Sequence, residues 1–197
     1  HEVAEDAVLG GSHSKEDLPS VHQHIPRKVS IPGVYSIALG GDHSVALGAD
    51  GTYVWGRCPL GPGKGLGTDC GKQAEFVPTP IVIEPEMQLE RVACGRQFNL
   101  GVDALGGLHF WGLATASSTG TTEDGNALTS HLPRIVPLRP KIEVRELVCG
   151  WRHALFTDQN GKVWSWGEDE FGQCGLGGDT NVVLEPREVP GLDCRIK

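Results

Sequence analysis

The sequence predicts an all-β chain built from β-propeller blades of four antiparallel strands each. Three observations predict it. First, a glycine-anchored motif returns at a fixed interval: Gly40-x-x-His43, Gly95-x-x-Phe98 and Gly150-x-x-His153 stand 55 residues apart. A fixed period in this range marks a repeat architecture. Second, a turn dipeptide follows each anchor at the same distance: Asp50-Gly51, Gly106-Gly107 and Asn160-Gly161. Third, a short aromatic strand after each turn ends in Trp-Gly, at Trp55-Gly56, Trp111-Gly112 and Trp166-Gly167. Short strands with regular Gly and aromatic punctuation are the cue for propeller blades.

The third copy shows each element most plainly. An apolar first strand, Val144–Cys149, runs up to the anchor Gly150. A second strand, Ala154–Thr157, leads into the turn at Asn160-Gly161. That dipeptide tolerates positive φ, as the two-residue type I′ turn of a hairpin requires. A third strand, Lys162–Trp166, follows, and a fourth lies near Arg187–Val189. Pro26, Pro80, Pro133 and Pro186 recur at near-constant spacing and read as the starts of edge strands. No stretch of useful length shows the 3.6-residue periodicity of a helical solenoid.

The division expected is 1–33 as the end of a preceding repeat, then repeats over 34–88, 89–143 and 144–197. The second carries a Ser/Thr/Gly-rich insert, 113–132, expected as a surface loop. At about 54 residues per blade the chain makes about three and a half blades, a partial ring or a fragment of one. Val8-Leu9-Gly10-Gly11 repeats the character of Gly175-Leu176-Gly177-Gly178, so both ends read as cut within a longer protein.

The third copy, "LVCGWRHALFTDQNGKVWSWGEDEFGQCGLGG", resembles the regulator of chromosome condensation repeat family. The first, "IALGGDHSVALGADGTYVWG", is also close to it. The middle copy departs: Phe98 replaces the His, and no Gly-Leu-Gly follows its Trp-Gly. The resemblance implies a propeller of the seven-bladed type. It also implies protein partners, with guanine nucleotide exchange on a Ran-like small GTPase as the family's founding activity.

Composition narrows the functions. A formal charge of −8 without a basic stripe argues against direct binding to a nucleic acid backbone. No apolar run is long enough to span a membrane. Gly 28 and Pro 13 suit many tight turns. The six cysteines include no CxxC pair, and Cys94 and Cys149 share a strand-end position that Leu39 fills in the first copy. That is a core position for a free thiol, so the reading is an intracellular, reduced protein of open compartment.

Chemistry-bearing motifs are few. Gly61-Pro-Gly63-Lys64-Gly65-Leu66-Gly67 lacks the Ser/Thr and the helix of a phosphate loop, and it aligns with a blade turn. His22-x-His24, with His13, lies in an irregular polar stretch without a defined ligand set. His43 and His153 are expected to satisfy backbone groups within their own blades. No catalytic constellation stands out, so no catalytic residue, metal or cofactor is assigned.

The positions left to carry function lie between anchor and second strand. They include Asp42, Arg96, Gln97, Trp151 and Arg152, expected in equivalent loops on one face. Trp and Arg are the types most enriched in binding hot spots, which singles out Trp151-Arg152. The alternative is that Trp151 packs between blades. The acidic run Glu168-Asp169-Glu170, expected as solvated charge, joins this set. The function expected is a non-enzymatic protein interaction scaffold, perhaps a subunit of a larger assembly. The alternative is exchange activity on a small GTPase. An enzyme has no positive support in the residues.

Overall fold

The computed structural model describes residues 28–57, 74–81, 88–113, 129–138 and 141–192. The histidines 13, 22 and 24, the Gly61–Gly67 stretch, most of the insert and Cys58, Cys70 and Cys194 lie outside them.

The described chain is all-β, with twelve strands in three four-stranded sheets. Blade 1 holds β1 (Ser36–Leu39), β2 (His43–Gly48), β3 (Gly51–Arg57) and β4 (Ala74–Ile81). Blade 2 holds β5 (Leu89–Cys94), β6 (Phe98–Asp103), β7 (Leu108–Leu113) and β8 (Thr129–Ile135). Blade 3 holds β9 (Val144–Cys149), β10 (His153–Asp158), β11 (Val163–Glu168) and β12 (Val182–Glu188). Each sheet is an antiparallel meander in sequence order. The first strand of each blade packs on its neighbour's: β5 lies against β1 and β2, and β9 against β5 and β6.

The anchor glycine has a local cause. A Cβ on Gly40, Gly95 or Gly150 would fall within the ring of His43, Phe98 or His153 respectively. The ring three residues on therefore lies over a bare backbone. The same turn is closed by an amide donating to a carbonyl, Gly40 to His43 at 2.8 Å, with 2.9 Å in both other blades. The Gly after each Trp has a different cause. Gly56, Gly112 and Gly167 have φ of 100°, 108° and 115°, a region that side chains avoid. A Cβ on Gly56 or Gly112 would also strike the backbone of Asp42–His43 or Gln97–Phe98.

Opposite each Trp the outer strand bulges. Thr79, Arg134 and Arg187 pair with Val54, Phe110 and Ser165, while Glu75, Ser130 and Val183 pair with Gly56, Gly112 and Gly167. Three residues thus face one Trp, and the last of the three is proline: Pro78, Pro133 or Pro186. This corrects two expectations. The prolines sit inside the outer strands, at bulges where the lost amide breaks no ladder, not at strand starts. In blade 1 the equivalent residue is Pro78, not Pro80. The fourth strand of blade 3 accordingly begins at Val182, earlier than Arg187. The expected loop 113–132 is also shorter, because Leu113 ends β7 and Thr129–Leu132 belong to β8.

The hairpin turns are not type I′. In blade 3 Gly161 donates to Asp158 O at 3.0 Å, and Asp158 donates to Lys162 O at 3.0 Å. Blade 2 repeats this with Gly106, Asp103 and Gly107. Positive φ falls on one residue, Gly106 at 78° and Gly161 at 79°. This is the three-residue loop that ends in a left-handed glycine. In blade 1 Gly48 pairs directly with Gly51, and Ala49-Asp50 form the turn.

The core lies between blades. Val45, Leu47, Val54, Leu89, Val92, Cys94 and Trp111 fill the space from blade 1 to blade 2. Phe98, Leu100, Phe110, Leu147, Phe156, Trp164 and Trp166 are among those filling it from blade 2 to blade 3. Trp166 is core, as its recurrence predicts, and its Nε1 donates to Leu184 O in the bulge at 3.0 Å.

Candidate functional site

The loops between first and second strands emerge at one end of the three blades. They are Gly41-Asp42, Arg96-Gln97 and Trp151-Arg152. Backbone hydrogen bonds tie them in series: the Gly41 amide donates to Arg96 O at 3.2 Å, and the Arg96 amide donates to Trp151 O at 2.9 Å. Above this chain the Arg96 guanidinium stands 5.0 Å from the centre of the Trp151 ring. A guanidinium over an indole face is a cation–π pair, worth about 0.5–1 kcal/mol at an exposed site. Trp151 is 58% exposed, so among the described residues it does not pack between blades.

The same end carries two ion pairs of opposite polarity. In blade 1 Asp42 faces Arg57 at 3.6 Å, and both side chains are well exposed. In blade 3 Arg152 donates to Glu168 at 3.0 Å, with Glu168 mostly covered. Asp42 and Arg152 are equivalent positions, as are Arg57 and Glu168. Blade 2 places uncharged Gln97 and Leu113 there. The backbone frame beneath is constant: Arg57, Leu113 and Glu168 each donate their amide to Asp42, Gln97 and Arg152 respectively.

The acidic run divides into three environments, which corrects its reading as solvated charge. Glu168 is paired. Asp169 is buried; its Oδ1 accepts from the Cys174 amide at 2.8 Å, and its own amide donates to Asn181 O. It is a brace for the loop between β11 and β12. Only Glu170 is exposed. The braced loop presents a residue that the sequence reading missed, Phe171, which is 84% exposed. An aromatic between an acidic run and a Gly turn was its available signal. Arg57 was also missed, although aligning it with Glu168 reveals the reversed pair.

His43 does not stay within its own blade. Its Nε2 donates to Asn99 Oδ1 of blade 2 at 2.7 Å. Burial holds its pKa below the ordinary value, outweighing the Asn99 hydrogen bond and the nearby Asp42. The residue pair equivalent to His43–Asn99 at the next interface is Phe98–Ala154, in one apolar cluster. The middle copy's Phe is thus matched by an Ala in the following blade.

The described thiols are free and buried or half-buried. Burial pushes the Cys94 and Cys149 thiols well up and Cys174 to about 11. These are inert, structural cysteines rather than nucleophiles. Among the described residues no His/Cys/Asp/Glu cluster is set to hold a metal.

Models described as "Regulator of chromosome condensation (RCC1) repeat" match residues 144–173 and 160–197. The chain carries RCC1 repeats. The mitochondrial RCC1 domain-containing protein RUG3 of Arabidopsis thaliana is 30% identical over 146 residues, covering 71% of this chain and 31% of RUG3. The solved structure of human WBSCR16 superposes with a TM-score of 0.69 at 20% identity, over 83% of this chain and 43% of that one. Prp20p of Saccharomyces cerevisiae, described with its binding to Gsp1p and histones, superposes at 0.67 and 22% identity, over 80% and 38%. The chain therefore spans less than half the length of each of these relatives. The two structural likenesses show that the RCC1 repeats fold as propeller blades.

Proposed function

We propose that the RCC1 repeats form a non-enzymatic protein interaction scaffold, with the loop end as its docking face. One observation carries the reading: three equivalent loops, joined by backbone hydrogen bonds, hold an exposed Trp151 beneath Arg96. A rigid, amphipathic aromatic beside guanidinium groups is the composition of a hot spot. The reversed ion pairs at Asp42–Arg57 and Arg152–Glu168 give the face a polar pattern that would orient a partner. Glu170 contributes exposed charge, and Gln97 is a neutral contact between the two pairs. Inert free thiols at Cys94, Cys149 and Cys174 support a reducing, intracellular setting.

The description of Prp20p with Gsp1p makes a small GTPase the first partner class to test. The assay is release of a fluorescent GDP analogue from a panel of small GTPases. Binding without acceleration supports the scaffold; clear acceleration with one GTPase replaces it with exchange activity. For the face, Trp151→Ala with Arg152→Ala is expected to weaken binding of any GTPase captured in that panel by about tenfold or more. Its circular dichroism and thermal midpoint should stay close to those of the parent. Unchanged affinity in a folded double variant would place the docking face elsewhere.

A further inference from the structure

The two internal blade interfaces share one arrangement. The side of blade 1 that bears His43 meets the side of blade 2 that bears Asn99. The side of blade 2 that bears Phe98 meets the side of blade 3 that bears Ala154. Polar meets polar in the first and apolar meets apolar in the second. A buried imidazole without a partner, or a buried amide facing Phe, would cost the desolvation of the unpaired group.

Two more sides of the same kind remain, and no described strand lies on either. Blade 3 presents His153, Leu155 and Thr157, all half-buried; their equivalents Phe98, Leu100 and Val102 are buried to 1% or less. Blade 1 presents Ile37 and Leu39, exposed at 68% and 73%, with Ser44 and Trp55 half-buried. Their equivalents Val92, Cys94, Asn99 and Trp111 are buried to 8% or less, because blade 1 covers them. The exposed pair on β1 is thus the uncovered form of an interface the chain already builds.

We propose that these two sides bind each other between copies of this chain, blade 3 of one copy against blade 1 of a second. The two halves are the two halves of the internal interfaces, so the contact continues an established packing rather than inventing one. The residue pairing fits as well. His153 needs a hydrogen-bonding side chain at the Asn99 position of the blade it meets. Blade 1 supplies Ser44 there, whose hydroxyl can accept. His43–Asn99, Phe98–Ala154 and His153–Ser44 of the second copy form one series. Such a head-to-tail contact is heterologous, so it closes a ring or extends an open chain.

The test is sedimentation of the full chain over a concentration series, with two blocking variants. Leu39→Glu spoils the blade 1 side and Leu155→Glu the blade 3 side. The parent is expected to associate, and each variant alone to sediment as a folded monomer. An equimolar mixture of the two is expected to form a 1:1 dimer, since each keeps one intact half. His153→Phe should weaken association about tenfold, the loss of one hydrogen bond with an unpaired group left behind. Adding Ser44→Ala to the second copy should restore it, reproducing the Phe98–Ala154 pairing. A parent that stays monomeric up to its solubility limit would overturn the proposal. So would a mixture that stays monomeric while the parent associates.

Discussion

A methyl group on Gly95 would occupy the space of the Phe98 ring, and Phe98 is almost fully buried. Gly95→Ala is therefore expected to cost about 2 kcal/mol by forcing a packed aromatic aside. Gly172→Ala tests the other glycine role. Its Cβ would meet nothing, but its φ of 72° is strained for any side chain, so about 1 kcal/mol is expected. Urea denaturation of both variants checks the order. At the Trp164 position three different donors solve one problem. Tyr53, His109 and Trp164 reach Asp50, Asp103 and Asp158 respectively, each bracing the hairpin turn below. Burial alone would raise the Asp103 pKa, yet hydrogen bonds from His109, Gly107 and Leu105 bring it below the ordinary value. His43 yields a pH prediction. An unfolded imidazole titrates near 6.5, and burial lowers the folded value, so the folded chain resists protonation there. The stability that goes with this is complete above 6.5 and is lost as pH falls from there through the folded value. The thermal midpoint should drop over that window. His43→Phe with Asn99→Ala, which copies the Phe98–Ala154 interface, should remove that part of the drop.

The element that distinguishes these blades is the bulge on the outer strand. The indole of Trp166 donates across it to Leu184 O, which ties β11 to β12 where the ladder is broken. Trp166→Phe keeps most of the apolar contact and loses that bond, so about 1 kcal/mol is expected, read from the shift in denaturation midpoint. Trp-Gly spacing made the third strand legible. The bulge was not, because the residues opposite the Trp vary in all but their last member. That last member, proline, marks the bulge only after Pro78 rather than Pro80 is placed against Pro133 and Pro186. The turn type was misread for a similar reason. Asn160-Gly161 satisfies a type I′ turn by composition, but Asp158 Oδ1 accepts from the Asn160 and Lys162 amides and draws the loop out by one residue. A side chain two residues before the dipeptide thus decided its geometry.

Across the whole molecule the blades adhere through side-chain pairs that lie 55 or 56 residues apart in sequence, such as Phe98 with Ala154 and His43 with Asn99. Single changes at one interface should therefore couple. Asn99→Ala and His43→Phe each leave a mismatch, and together they are expected to cost less than the sum of the two, measured as a double-mutant cycle in urea. A coupling near zero would show that the two positions act independently. The loop end follows the same logic. Trp151 was readable as a candidate because its copies, Gly41 and Arg96, differ from it while the anchors do not. Its alternative, a place between blades, could be set aside only with Arg96 seen stacked upon it.

The period, the four strands per unit, the core role of Trp166 and the identity of the face loops all followed from residue spacing. Spacing determines them because each depends on a glycine or an aromatic at a set distance along one strand or turn. The tertiary structure alone decided which residues meet across blades. It turned Asp169 inward as a loop brace and left Phe171 exposed. It also left Leu39 open while burying its counterpart Cys94. These outcomes depend on what lies on the neighbouring sheet, and no local pattern encodes a neighbour some 55 residues away in sequence.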